Sequence, residues 1–184
     1  NGRNTSRGLR CGCHIGHMLG YGPWESGRRA GGSSCFRASP SGRIGGGMKV
    51  PNVLAIGGSD PSGGAGIQAD IRTITALGAY ACAAITLLTA QNSGAVAAVW
   101  KVPGRRVRAQ LETLLADVSV QAIKIGALGS QSTARAVAEV LEALPELPVV
   151  LDPVHRASAG PWLLDRGARR VLLERLVPRA TLLT

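Results

Sequence analysis

The stretch "AIGGSDPSGGAGIQAD", from Ala55 to Asp70, has residue types that could bind a small ligand. It contains five glycines and lies between an apolar run and a helical pattern. Backbone N–H groups at such a strand-to-helix turn could receive an anion such as phosphate. The turn could instead form the wall of a pocket for a small planar substrate. Because Asp60 and Asp70 disfavour a large anion, a neutral, hydroxyl-bearing ligand suits this turn better.

The glycines of this turn match neither of two common nucleotide-binding patterns. No Lys-Ser or Lys-Thr pair follows them, as a P-loop requires. The spacing in "GGSDPSGGAG" also differs from G-x-G-x-x-G, and Pro61 interrupts it. Neither fingerprint therefore accounts for the turn.

Three other polar residues are candidates, each with a simpler alternative. The amide of Gln91 can donate and accept at the edge of a heterocycle, or it can bond the local backbone of a turn. Asp70 lies four residues into the predicted helix, where a solvated carboxylate favoured by the helix dipole is the alternative. Asp152 ends an apolar run and could bind a metal or phosphate, or cap a helix. His155 beside it is interpreted as bystander polarity.

Apolar runs alternate with helical patterns from Val50 onward. This alternation predicts βαβ units and an α/β fold: a doubly wound, mostly parallel sheet with helices on both faces. The strand-like runs are "VPNVLAIGG", "YACAAITLLTA", "SGAVAAVWKV" (an edge strand), "VQAIKIGALG", "PVVLDPV" and "ATLLT".

Helix boundaries are indicated by local signals. Pro103 opens one helix, while Ser130 and Asp165 are placed to cap two others. The first helix is stopped by Gly78, and its apolar face is predicted to comprise Ile67, Ile71, Ile74 and Leu77.

In such sheets ligands bind beyond the carboxyl ends of the strands. The small and polar residues just after the predicted strands are therefore expected to share a cleft. These residues are 58–66, 89–93, 126–129 and 152–160.

The composition changes at Met48. Residues 1–47 hold seven Arg and one Glu, for +6 of the formal net charge of +10. We predict that Met48 is the natural start and that residues 1–47 are a disordered upstream extension. The run "CGCHIGH" in this segment is not expected to bind zinc, because no second ligand pair accompanies it. A transit peptide is a weaker interpretation of the same segment.

Several functional classes are disfavoured by composition. Nucleic-acid binding is not expected, since most of the charge lies in the extension and no aromatic stacking platform exists. No apolar run is long enough for a membrane span. A single cysteine beyond residue 47 suits a cytoplasmic protein without disulfides.

Five strings occur in order and at proper spacing: "IGGSDPSGGAGIQADIRTITALGAY", "TAQNSG", "IKIGALG", "VVLDPV" and "LVPRATLLT". Together they resemble the hydroxymethylpyrimidine/phosphomethylpyrimidine kinases of thiamine biosynthesis, in the ribokinase-like superfamily. The resemblance implies a ribokinase-like fold and ATP-dependent phosphorylation of the hydroxymethyl group, then of the monophosphate. It also implies that the glycine-rich turn walls the pyrimidine pocket.

By this resemblance six residues form the pyrimidine site. Gln91 bonds the aminopyrimidine, and Asp70 lies near the polar edge of the substrate. Gly58 and Ala65 line the pocket through their backbone, and Val154 contacts the ring. The sixth, Ala127, is a departure, because many members have methionine there and alanine leaves a roomier pocket. The loop "VHRASAGP" is a second departure, since it lacks the usual lysine and aspartate.

The resemblance also implies what lies outside these residues. In the family the catalytic base, a glycine-rich anion hole and most of the ATP site follow the "LLT" string. We therefore expect residues 48–184 to be the N-terminal part of the kinase domain and to be inactive alone, with no catalytic residue and no assigned metal ligand. ATP and Mg²⁺ are the implied cofactors. A homodimer of the longer form, a pyridoxal-type kinase and a non-catalytic pyrimidine-binding module remain alternatives.

Overall fold

The computed structural model describes residues 43–44, 48–157 and 160–184. The predictions for residues 1–42, including the one for "CGCHIGH", lie outside the described residues. Strand β1 (Arg43–Ile44) pairs antiparallel with β2 (Met48–Lys49) in a two-residue ladder.

The main sheet has six strands and follows the predicted order of apolar runs. The spatial order is β5-β4-β3-β6-β7-β8, and all neighbours are parallel except the antiparallel pair β4–β5. The predicted mostly parallel α/β fold is therefore confirmed, and "SGAVAAVWKV" supplies the edge strand. The strands are β3 (Asn52–Ser59), β4 (Tyr80–Gln91), β5 (Val96–Lys101), β6 (Ala122–Ile125), β7 (Val149–Leu151) and β8 (Leu182–Leu183).

Helices connect the strands, and the three predicted helix starts are confirmed. Pro103 is the N-cap of α2, and the Ser130 and Asp165 side chains accept from the Thr133 and Ala168 N–H groups at the starts of α3 and α4. A π-helical turn (Leu172–Leu176) and a 3₁₀ turn (Val177–Arg179) continue α4. The helices are α1 (Gly66–Ala76), α2 (Gly104–Leu115), α3 (Gln131–Glu142) and α4 (Arg166–Val171).

The helices lie on both faces of the sheet. On one face, apolar side chains of α2, α3 and α4 pack with alternate residues of the central strands, such as Leu54, Ile56 and Ile123, into the main buried core. Helix α1 covers β3 and β4 on the opposite face, where Ile67 approaches the backbone of Gly57. Within the described part of the chain, no helix has the length and apolarity needed to cross a membrane.

The apolar face predicted for α1 is wrong at its last member. Ile67 is buried and Ile71 and Ile74 are half-buried, but Leu77 is 81% exposed. Leu77 follows the last helical residue, and Gly78 then turns the chain with φ +83°. The side chain of Leu77 therefore no longer follows the helical periodicity of α1.

Candidate functional site

A cavity of about 310 Å³ lies beyond the carboxyl ends of the parallel strands. Its wall comes from the end of β3 and the turn before α1, the end of β4 and its connection to β5, and the residues after β6 and β7. These are the four stretches that the sequence predicted to share a cleft. The parallel sheet brings them together because all of these strands point the same way.

The structure brings all six predicted site residues to this cavity. Each comes from a different position on the scaffold: the end of β3, the glycine-rich turn, α1, the end of β4, and the segments after β6 and β7. In that order they are Gly58, Ala65, Asp70, Gln91, Ala127 and Val154.

The glycine-rich turn uses its own backbone donors internally. The Asp60 carboxylate accepts from the Ser62 N–H at 2.8 Å, the Ser62 hydroxyl at 2.7 Å and the Ala65 N–H at 2.9 Å. The Gly63 N–H donates to the Asp60 carbonyl at 3.0 Å, and the Gly64 N–H donates to Ser62 Oγ at 3.4 Å. The four consecutive N–H groups of residues 62–65 are thus already bonded. Of the amides of Gly63 to Gly66, which could receive an anion on the sequence pattern alone, those of Gly63, Gly64 and Ala65 are therefore not free to do so.

The ionised form of Asp60 is stabilised by these bonds. Burial of this side chain, which is 4% exposed, acts to raise its pKa. The hydrogen bonds from Ser62 and from the Ala65 and Gly64 backbone outweigh that effect, so the pKa of Asp60 lies below its ordinary value. The negative charge that the N–H groups of this turn attract is therefore the chain's own Asp60 carboxylate.

Gly66, the first residue of α1, allows the turn to pack against β3. It has φ +59°, and a Cβ there would lie 2.3 Å from the carbonyl oxygen of Gly58. Such a separation is far below any van der Waals contact, so only glycine fits. The pocket wall at Gly58 and the start of α1 are held together by this approach.

A chain of hydrogen bonds joins the turn to Gln91. Gln68 accepts from the Asp60 N–H at 2.8 Å and donates to Ser59 Oγ at 2.7 Å. The Thr89 hydroxyl is within reach of the Ser59 carbonyl at 2.9 Å and of Gln91 Oε1 at 3.3 Å. Gln91 therefore contacts a side chain of its own strand, not the turn backbone that the alternative required.

Lys124 is the residue of this site that the sequence analysis missed. Its Nζ lies 3.0 Å from each carboxylate oxygen of Asp70 and 3.9 Å from Oδ2 of Asp152. All three side chains line the cavity. A lone lysine inside the apolar string "AIKI" was the available signal, because a charge in a buried strand needs a partner.

The ion pairs correct two interpretations of the carboxylates. Asp70 has a side chain that is only 17% exposed, so it is not a solvated helix carboxylate. Asp152 directly follows β7, and no helix begins there, so it does not cap one. His155 is half-buried and does not line the cavity.

The remaining wall of the cavity consists of an apolar cluster and one arginine. Ala127 packs in a small cluster with Leu87 and Leu163, against which Val154 is also packed. Arg156 lines the cavity, and its Nε donates to the Gly160 carbonyl at 2.8 Å. The cavity therefore combines an apolar side with an amide, an ion-paired carboxylate and exposed backbone.

A mostly parallel α/β sheet with a small, mixed-polarity cavity at its strand ends defines a class of small-molecule-binding proteins. A family model described as phosphomethylpyrimidine kinase matches residues 60–184. The chain belongs to this phosphomethylpyrimidine kinase family.

Individual relatives agree with this assignment. The chain is 46% identical over 137 residues to the hydroxymethylpyrimidine/phosphomethylpyrimidine kinase of Escherichia coli (strain K12), covering 74% of this chain and 52% of the relative. The crystal structure of phosphomethylpyrimidine kinase from Clostridium difficile 630 is similar with a TM-score of 0.66 and 36% identity, covering 73% of this chain and 58% of that one.

A pyridoxal kinase is also similar to the chain. The structure of the Staphylococcus aureus enzyme in complex with pyridoxal has a TM-score of 0.64 and 32% identity, covering 73% of this chain and 49% of that one. The chain thus spans about half the length of the Escherichia coli and Staphylococcus aureus proteins.

Proposed function

We propose that this chain supplies the pyrimidine-binding part of a kinase that phosphorylates 4-amino-5-hydroxymethyl-2-methylpyrimidine and then its monophosphate, with ATP as donor, in thiamine biosynthesis. The observation that carries the proposal is that one cavity collects all six residues implied by the family resemblance. Membership of the phosphomethylpyrimidine kinase family supports the same activity.

The size of the cavity supports a small ligand. At about 310 Å³ it is at the lower end of the range for small-molecule pockets. One substituted ring suits this volume better than a ring together with a nucleotide. We therefore assign this cavity to the acceptor substrate.

Each polar group has a proposed role in holding the ring. The Nε2 group of Gln91 has no hydrogen-bond partner among the residues the structure describes, so it is free to donate to the ring edge. Asp70, an acceptor only, faces the amino group. Gly58 and Ala65 present backbone, while Ala127 and Val154 pack against the ring face.

Neither the glycine-rich turn nor Lys124 fits the phosphates of ATP. The N–H groups of residues 62–65 are bonded within their turn, and the ammonium of Lys124 lies against two carboxylates. We propose that ATP binds outside this cavity, which agrees with the sequence-based expectation for its site.

A resident magnesium ion does not fit these residues either. Asp70 and Asp152, the carboxylates beside Lys124, are both within ion-pair distance of it. Across residues 50–157 and 160–184 there is no group of three or more side chains of the metal-ligating types His, Cys, Asp and Glu.

A pyridoxal-type kinase is the second candidate. It is favoured by the similarity to the Staphylococcus aureus pyridoxal kinase at 32% identity. Both substrates are small heterocycles with a hydroxymethyl group, so the volume of the cavity does not separate them.

Calorimetric titration of the 184-residue chain with the pyrimidine, its monophosphate and pyridoxal tests the binding assignment. We expect the pyrimidine to bind at least about tenfold more tightly than pyridoxal, as a site with matched hydrogen-bond partners does. Tighter pyridoxal binding would favour the second candidate. Binding of neither ring would remove the acceptor site from this cavity.

Phosphoryl transfer is tested in a longer protein. A fusion of this chain to the C-terminal half of the Escherichia coli relative is expected to release ADP only when the pyrimidine is present. The same assay separates a kinase from a non-catalytic pyrimidine-binding module. If the chain is only such a module, the fusion releases no ADP, although calorimetry still shows binding of the pyrimidine. The Escherichia coli enzyme itself serves as the positive control.

A further inference from the structure

Lys124 occupies an unusual position in the sheet. It is the third residue of β6, a short central strand between β3 and β7. Its neighbours Ile123 and Ile125 are buried in the core on the side of α2, α3 and α4. Since side chains alternate along a strand, Lys124 lies on the side of α1. A charge is costly there unless it is paired.

The pairing is directed mainly at one carboxylate. Nζ lies 3.0 Å from both oxygens of Asp70, but 3.9 Å from the nearer oxygen of Asp152. Contact of one ammonium with both oxygens holds the position of the Asp70 carboxylate, as a point charge does. The side chains of Lys124 and Asp70 are 25% and 17% exposed, whereas that of Asp152 is 42% exposed.

The backbone next to Lys124 leaves room for this arrangement. A Cβ on Gly126 would lie 3.1 Å from Nζ, which is tighter than ordinary side-chain contacts. Glycine at this position lets the ammonium lie over the strand end and reach α1. The contact therefore joins two walls of the cavity, the end of β6 and the first turns of α1.

We propose that Lys124 is a positioning residue for ligand binding: it holds the Asp70 carboxylate at the place where it accepts from the bound ring. This inference rests on the proposed function for the identity of the ring. Lys124 acts through Asp70 and does not itself contact the ligand. Asp152, with Oδ2 at 3.9 Å, is a second and more distant negative charge beside the ammonium.

Two other roles for Lys124 predict different measurements. A direct contact with the ligand would add its own loss of affinity to that of Asp70. If the ion pair is purely structural and joins α1 to the sheet, breaking it lowers the melting temperature, and the loss of affinity follows that loss of stability. If Lys124 acts through Asp70, replacing both residues should lose no more affinity for the ring than replacing Asp70 alone. A double-mutant cycle measures this.

The experiment uses the 184-residue chain and four variants: Lys124→Met, Asp70→Asn, the double variant, and Lys124→Arg. Affinity for the pyrimidine is measured by calorimetry, and the melting temperature by circular dichroism. Lys101→Met is the matched control, because Lys101 also extends from a strand to a carboxylate, Asp165 at 3.4 Å, but does not line the cavity.

We expect Lys124→Met and Asp70→Asn each to weaken binding about tenfold or more, as loss of a charge-assisted bond does. The double variant should be no more than about twofold weaker than Asp70→Asn alone. Lys124→Arg should retain most of the affinity, because a guanidinium can also contact both carboxylate oxygens. Lys101→Met should bind like the unaltered chain.

Several results would overturn the inference. Multiplicative losses in the double variant would indicate direct ligand contact. Losses of affinity that follow the melting temperature would indicate a structural ion pair. If the unaltered chain binds pyridoxal in preference, the proposed function fails while the same cycle, measured with pyridoxal, still decides the role of Lys124. Binding of neither ring overturns both.

Discussion

Asp60 shows how one side chain decides what a glycine-rich turn can bind. Its carboxylate accepts three hydrogen bonds from Ser62 and Ala65, and it lies where the turn leads into α1. A helix N-terminus attracts negative charge. Here that charge belongs to the chain, so the N–H groups of residues 62–65 stabilise the turn instead of receiving an anion.

We expect Asp60→Asn to destabilise the fold by roughly 1.5–3 kcal/mol near neutral pH, the typical value of hydrogen bonds to a charged group. Because the pKa of Asp60 is lowered in the folded state, its contribution is complete above the ordinary value of 3.8 and is lost as the pH falls through the folded pKa. Thermal unfolding of both proteins between about pH 7 and pH 3 measures this.

The difference in stability between the two proteins should shrink toward the acid end of that range. Asp117→Asn, at an exposed carboxylate on the surface, is the control and should change stability little at any pH. A difference for Asp60→Asn that is constant down to the lowest pH would contradict the role given to its ionised form.

Gln91 lines the cavity and is the residue to which the proposed function gives the edge of the ring. We predict that Gln91→Ala weakens pyrimidine binding about five- to 150-fold, since a ring edge left without its partner costs roughly 1–3 kcal/mol. The melting temperature should change little, because the side chain makes one long contact, with Thr89 at 3.3 Å. Calorimetry gives the affinity.

Gln131→Ala is the matched control for Gln91, because it removes an amide from α3, outside the lining of the cavity. It should leave the affinity unchanged. Equal affinities of the Gln91 variant and the unaltered chain would remove Gln91 from the site.

At the scale of elements, a glycine lies at each end of α1, and the two glycines are needed for different reasons. Gly66 has a positive φ and lies in contact with the Gly58 carbonyl, whereas Gly78 has φ +83° with no atom within 4 Å of its added Cβ. Both glycines therefore need a positive φ, but only Gly66 also packs closely against another backbone atom.

We predict that Gly78→Ala costs about 1 kcal/mol, from the left-handed conformation alone. Gly66→Ala should cost clearly more, above about 2 kcal/mol, because the Cβ must displace backbone. It should also weaken pyrimidine binding, since Gly58 lines the cavity. Denaturant unfolding and calorimetry of both variants test this. Equal losses in the free energy of unfolding would show that the contact of Gly66 with the Gly58 carbonyl does not add to the cost of the substitution.

At the scale of the whole molecule, the cavity is assembled from residues between Gly57 and Leu163. Every described residue that lines it follows β2 in the chain. The sheet that positions these residues likewise begins with β3 at Asn52. The described part of the cavity therefore depends on the order of four parallel strand ends.

We predict that a chain beginning at Met48 binds the pyrimidine with the same affinity as the 184-residue chain, within about twofold, and melts at a similar temperature. Calorimetry and circular dichroism on the two proteins provide the comparison. A clear loss of affinity in the shorter chain would mean that residues 1–47 contribute to the site, contrary to their predicted dispensability.

The sequence alone predicted the strands, the order in which they occur and the caps at Ser130 and Asp165. These features depend on residues within a few positions of each other, and the rule for parallel sheets then places the ends of the strands together. It also identified six residues that the structure places in the cavity, because their strings resemble a known family.

Only the tertiary structure decided which charges meet. Lys124 and Asp70 are 54 positions apart, and nothing in either local pattern pairs them. The sequence also left open whether the turn at Asp60 receives an anion or forms the wall of a pocket. Whether its N–H groups face a ligand or a carboxylate depends on how the turn folds back on itself. Leu77 fits a helical spacing, but the helix ends one residue earlier. Long-range contacts and the exact path of the backbone, not residue types, determined these three outcomes.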